Sequence, residues 1–191
     1  MKVVAINGSA RKNGNTATLM GYVLEELDAA GINTELIQLA GKDMHGCRAC
    51  RNCFKNKDRR CSQDDDFGNE CIAKMDEAQG IILGSPTYFA NVSAEMKALI
   101  DRAGLVGKAN DGMYRRKVGA GVVAVRRAGS QQVFNALNAF FTISEMIIPG
   151  ASYWNMGLGR DKGDVVKDDE GVNTMRVLGR NMAWVMNKVY A

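Results

Sequence analysis

The stretch "CRACRNCFKNKDRRC" holds four of the five cysteines of the 191-residue chain, Cys47, Cys50, Cys53 and Cys61, in the spacing C-x2-C-x2-C-x7-C. Three thiolates at intervals of three residues can wrap one compact inorganic core, and a fourth can return to it from a short loop. A [4Fe-4S] cluster, a zinc ion held by tetrahedral thiolates and a metal-free cysteine loop all satisfy this spacing. Arg48, Arg51, Lys55, Lys57, Arg59 and Arg60 lie among the cysteines. They would offset the charge of an anionic cluster and attract an acidic electron-transfer partner. Cys71, in a helical pattern, reads as a buried thiol. His45, the only histidine, reads as a solvated loop residue, with a proton donor as the alternative.

A second chemically suggestive stretch is "NGSARKNGNT", Asn7 to Thr16, directly after the apolar run "KVVAI". A loop that leaves a strand and opens a helix exposes backbone N–H groups at the positive end of the helix dipole, where an anion is favoured. Ser9 and Thr16 offer hydroxyls, Asn15 an amide and Arg11 a cation, so a phosphate is the expected guest. The alternative is a capped helix start in which Ser9 or Asn15 only satisfies N–H groups. No Gly-Lys-Ser/Thr closes the loop and no G-x-G-x-x-G is present in it, which excludes a P-loop and the dinucleotide fingerprint. "GAGVVA", Gly119 to Ala124, resembles that fingerprint loosely but lies inside an apolar strand pattern.

These stretches must be positioned by elements that alternate along the chain. "KVVAIN" is followed by a helical pattern from Thr16 to Ala30, "TELIQL" by Asp66 to Glu77, "GIILGS" by Ala94 to Ala103, and "VGAGVVAV" by Gln131 to Ser144. A last run, "EMIIPGASYW", precedes a helical pattern from Val172 to Tyr190 in which Trp184 is expected within the packed stripe. Strands alternating with helices imply a parallel sheet, and strand runs that are apolar without alternation imply cover on both faces. The expected fold is an α/β doubly wound sheet of five parallel strands with helices on both faces, in which ligands sit at the carboxyl ends of the strands. The chain reads as one domain, 1–191, with a Cys-rich insertion at about 41–65. Asp64, Asp65 and Asp66, which follow it, read as a helix start.

Hydrophobic residues make up 46% of the chain and charged residues 24%, and the net charge is +4. This is the composition of a globular protein and argues against nucleic acid as the main partner. No apolar run reaches the roughly 20 residues of a membrane span, and no signal pattern opens the chain, so a cytoplasmic location is expected. An odd number of clustered cysteines fits a reducing compartment.

After the third strand comes "GSPTYFANVSAEMKALIDRAG", in which Pro86 stops the strand and Ser93 is placed to cap a helix beginning at Ala94. Adjacent Tyr88 and Phe89 cannot both face one way in an extended segment, so at least one is expected in the crevice. Together, "NGSARKNGNT", "GSPTYFANVSAEMKALIDR" and the five-unit alternation resemble the flavodoxin-like NADPH-dependent FMN reductase superfamily, from Met1 to about Ser144. The cysteine motif stands where the iron-sulfur flavoproteins of that superfamily carry theirs.

The resemblance implies strand order 2-1-3-4-5. It implies that Ser9, Arg11, Asn15 and Thr16 hold the phosphate of FMN, and that Pro86, Thr87, Tyr88, Phe89, Asn91 and Val92 lie along its ring. It implies further contacts from Arg126, Gly129 and Ser130, although "VRRAGSQQ" departs from the Gly-rich loop of many relatives. The implied activity is hydride transfer from NAD(P)H to a small-molecule or protein acceptor, with no catalytic side chain because the flavin carries the chemistry. The alternative is an electron carrier between ferredoxin-like partners, with a [4Fe-4S] cluster on Cys47, Cys50, Cys53 and Cys61. A homodimer or homotetramer is implied as well, in which Tyr153 or Trp154 reaches a neighbouring cofactor.

Overall fold

The computed structural model describes residues 1–190. Five strands form one parallel sheet in the order β2-β1-β3-β4-β5: β1 Lys2–Asn7, β2 Asn33–Gln38, β3 Gly80–Pro86, β4 Val118–Val125 and β5 Met156–Leu158. The helices are α1 Asn15–Ala29, α2 Asn52–Asn56, α3 Gly68–Glu77, α4 Ala94–Ala109, α5 Ser130–Ile143 and α6 Asp169–Val189, with a short 3-10 turn at Asp164–Lys167.

Strand β1 shows why the sheet is covered twice. Val4 and Ile6 enter a core shared with Ile72 of α3, Leu99 of α4 and Leu137 of α5. Val3 and Ala5 point the other way, onto Leu19 and Val23 of α1 and Leu178 and Met182 of α6. The two sets alternate along the strand, as side chains on a pleated backbone must, and both are fully buried.

Three sequence expectations change. The fifth strand does not run through "EMIIPGASYW". Ile147 makes only an isolated bridge to Val118, and the paired strand comes later, where Met156–Leu158 meets Val123–Val125. Pro149 offers no N–H to a ladder, which accounts for the break. Trp184 is exposed rather than packed. The buried stripe of α6 runs through Met175, Leu178, Met182 and Met186, and a residue two positions from Met182 falls on the opposite side of a helix. Helix α4 continues six residues past its expected end at Ala103 and carries the buried Arg102.

Candidate functional site

The loops that follow β1, β3, β4 and β5 converge at the carboxyl end of the sheet on a cleft of about 210 Å3. Ser9, Arg11, Asn15, Thr16, Pro86, Thr87, Tyr88 and Arg126 line it, together with Ala124, Val125, Gly159 and Arg160. The first loop is fixed from below: buried Asn7 donates to the Gln38 side chain at 2.7 Å and accepts from the Ser9 N–H at 3.0 Å, while Gln38 donates to the Ser9 carbonyl at 2.8 Å. A Cβ on Gly8 would come within 2.8 Å of the Met96 side chain, so α4 can press on this loop only because residue 8 is glycine.

Gly14 is the N-cap of α1 and no side chain caps it. Ser9 accepts from the Arg11 N–H instead, at 3.1 Å. The first turn of α1 therefore presents N–H groups to the cleft, and it carries no acidic residue. Three arginines and no carboxylate line the cleft. The Thr87 hydroxyl is buried without a hydrogen-bond partner among the described residues. Such a group is stable only if something supplies the missing partner. An anionic end at α1 and a polar ring edge at Thr87 are what an FMN-sized ligand would offer, so the residues present fit that group.

The remaining expected contacts lie elsewhere. Tyr88 and Asn91 close a tight turn through paired backbone bonds of 3.0 Å, with Phe89 and Ala90 at φ of 47° and 58°. This turn throws Phe89 fully into solvent while Tyr88 lines the cleft. Val92 is buried in the core, and Asn91 accepts from the N–H of Val92. Gly129 caps α5 at φ 88°, and a Cβ there would stand 3.1 Å from Ala90, so this glycine lets the fourth loop close on the third. The Ser130 hydroxyl donates to the Met156 sulfur. The Asn15 amide is spent on the loop after β5: it donates to the Asp161 carbonyl at 2.9 Å and accepts from the Gly163 N–H at 2.8 Å. Sequence reasoning misses Arg160 because the strand that delivers it, Met156–Leu158, lies beyond the run Glu145–Trp154 that reads as the fifth strand; the length of the segment Asn155 to Gly171 is the available signal.

Cys47, Cys50, Cys53 and Cys61 line one further cavity, with Arg48, Arg51, Gln63 and Arg102. All four are free thiols, and Cys53 is buried. Among the described residues, no three His, Cys, Asp or Glu side chains approach closely enough to hold a metal ion. The ligands of one zinc at about 2.3 Å would have to stand within about 4 Å of each other. A multi-iron cluster takes its thiolates at separated corners, so the donor set suits it better. The Ser62 hydroxyl bonded to Cys50 lowers that thiol's pKa, whereas burial raises that of Cys53.

Under the cavity, Asp66 and Arg102 form a fully buried ion pair. Burial alone would raise the Asp66 pKa, but the Arg102 bond and the N–H groups of His45 and Gly68 hold it below the usual carboxylate value. Asp66 thus does support the start of α3, accepting from Gly68 N–H at 3.0 Å, and carries the larger role of countering Arg102. Cys71 is buried in α3, and burial pushes its thiol up to about 12. His45 is half exposed, with Nδ1 3.6 Å from Asp66.

A third cleft, of about 190 Å3 beside Lys108, Tyr114 and Arg115, lies near the amino end of β4, away from the strand ends where the loops converge. No helix of the described residues is long and apolar enough to cross a membrane.

Sheet order, flanking helices and the cleft at the strand ends define a flavodoxin-like α/β protein. The chain belongs to the NADPH-dependent FMN reductase family, whose profile matches residues 1–161, and within it to the iron-sulfur flavoprotein branch. It is 39% identical over 196 residues to an iron-sulfur flavoprotein of Methanocaldococcus jannaschii, covering 99% of each chain. To one from Archaeoglobus fulgidus it is 32% identical over 198 residues, covering 97% and 95%. Among solved structures, the fold is shared with RosB bound to 8-demethyl-8-formylriboflavin-5'-phosphate, at TM-score 0.75, 16% identity and 100% and 80% coverage. It is also shared with a flavodoxin from the domain Archaea, at TM-score 0.63, 16% identity and full coverage of both chains.

Proposed function

We propose that the protein is an FMN-dependent oxidoreductase that takes hydride from NAD(P)H at the strand-end cleft and passes electrons to a small-molecule or protein acceptor. The observation that carries this proposal is the uncapped start of α1 beside Ser9, Thr16 and Arg11, facing a buried Thr87 hydroxyl without a partner. When bound, FMN supplies the redox chemistry. The N–H groups of α1, Ser9, Thr16 and Arg11 hold its phosphate. Thr87 would orient the ring through its free hydroxyl, Tyr88 would line the ring's side of the cleft, and neither would serve as a nucleophile. Arg126 and Arg160 keep the cleft positive, which favours an anionic dinucleotide. A stopped-flow mix of the anaerobic FMN-loaded protein with NADPH and with NADH tests the proposal. Flavin bleaching within seconds with at least one is expected, and no bleaching with either would reject it.

The cysteine cavity favours an additional reading, in which Cys47, Cys50, Cys53 and Cys61 hold a [4Fe-4S] cluster and the chain relays electrons with a ferredoxin-like partner. The names of the curated relatives support it. Anaerobic purification should then give a brown protein with iron and sulfide at cluster stoichiometry, and a plain yellow protein removes the relay. The same family membership supports a homodimer or homotetramer, with exposed Tyr153 and Trp154 near the contact. Sedimentation showing only a 20.8 kDa species would reject it.

A further inference from the structure

The floor of the cysteine cavity is charged, which is unusual for a buried surface. Arg102 is 1% exposed, yet three of its neighbours account for only part of its guanidinium. Nη1 donates to the buried Asp66 carboxylate and to the His45 carbonyl at 3.4 Å, and Nη2 donates to the Gln63 carbonyl at 2.9 Å. Nε, buried as well, has no partner. The Gln63 side chain beside it already reaches the cysteines: its Nε2 donates to the Gly46 carbonyl at 3.1 Å and to the Cys61 sulfur at 3.9 Å. Arg102 and Gln63 both line the cavity of Cys47, Cys50, Cys53 and Cys61. An arginine held only to brace a loop would be expected to spend all of its donors on that loop.

The guanidinium is also fixed in place. It lies against Gly68, where a Cβ would collide with its atoms, and its counter-ion Asp66 is itself held by the N–H groups of His45 and Gly68. Arg102 sits on α4 nine residues after Ser93, which is about 14 Å along a helix. That helix starts from the loop carrying Thr87 and Tyr88, and Ser93 caps it by accepting from the Met96 N–H. One rigid element therefore carries a lining loop of the cleft at its start and the charged floor of the cysteine cavity farther along.

We propose that Arg102 is a positioning residue for the cysteine site, its free Nε–H held for a sulfur of an iron–sulfur group bound by the four cysteines. This rests on the cluster reading above. A fixed buried N–H and positive charge beside sulfur stabilise the more negative, reduced state of such a group and so raise its reduction potential. Asp66 orients the guanidinium and does not touch the cavity's sulfur.

The test uses the full chain reconstituted anaerobically with iron and sulfide, comparing wild type with Arg102→Lys. Lysine keeps the charge opposite Asp66 but has no Nε–H in the plane of a guanidinium. The expected results are a lower midpoint potential and about 10-fold faster loss of iron to a chelator, the scale on which outer partners of metal ligands act. The melting temperature of the metal-free chain identifies a variant that fails to fold. In that case Arg102→Met with Asp66→Asn, which removes the pair as a unit, is read the same way. A folded variant with wild-type potential and iron retention overturns the role of Arg102 while leaving the cluster in place. A wild-type chain that takes up no iron and sulfide overturns the cluster reading, and the role of Arg102 with it.

Discussion

At the cleft, the lining loops leave directly from the ends of β1, β3, β4 and β5, and their shape follows from the sheet. The cysteine loop leaves the sheet after β2 and is irregular from residue 39 to residue 67 apart from the five residues of α2. It holds Ala49, Arg51, Lys57 and Arg59 at positive φ, each at a cost of about 1–2 kcal/mol in a residue other than glycine. What anchors it is polar. Asn69 donates to the carbonyls of Cys61 and Gln63 at 2.9 and 3.0 Å, and the Arg102–Asp66 pair ties it to α4. The cleft is thus a consequence of the sheet, whereas the cysteine cavity depends on one buried charge network. The two should fail separately.

The largest expected effect separates them outright. Cys53→Ser with Cys61→Ser should abolish bound iron in the reconstituted protein while FMN affinity stays within about twofold, because distant sites act independently. An iron assay and a flavin-fluorescence titration check both halves, and a parallel loss of FMN would join the two regions. The converse change, Arg11→Ala, should weaken FMN about 10- to 100-fold, since a bond to a charged group contributes roughly 1.5–3 kcal/mol, and leave iron content unchanged.

Acid should open the cysteine loop before the sheet. Asp66 has a pKa held below its ordinary 3.8, so the stability it contributes is complete above that value and is lost as pH falls through the lower, folded pKa. Hydrogen exchange below pH 4 should therefore deprotect amides of residues 45–69 ahead of those of β1 and β3. Simultaneous deprotection would mean that the network is not the loop's separate anchor. The smallest effect is a ranking of thiols. Cys50, exposed and with a lowered pKa, should alkylate fastest in the metal-free chain, and Cys71, pushed up to about 12, should stay silent until unfolding. Early labelling of Cys71 would show that α3 opens locally.

Much of this architecture was legible in the sequence because it follows local rules. Continuous apolar runs marked β1, β3 and β4, and Ser93 before Ala94 marked the start of α4. The order of the sheet agrees with the resemblance, and Ser9, Arg11, Thr16, Thr87, Tyr88 and Arg126 line one cleft at its strand ends. What local pattern misses is pairing across the chain. Asn15 is claimed by Asp161 and Gly163, more than 140 residues away, and Asp66 by Arg102, 36 residues away. A run of three aspartates reads as a helix start whichever of them is buried, and an arginine in a helical pattern reads as surface. The late position of β5 has a local cause, Pro149, which has no N–H for a ladder although the apolar residues around it read as a strand.

The most direct measurement is an absorbance spectrum of the anaerobically purified, FMN-supplemented protein, recorded before and after NADPH or NADH. Equimolar bound flavin that bleaches with one of these donors is the expected result. A protein that binds no FMN, or a flavin band that neither donor changes, would contradict the assignment of the strand-end cleft.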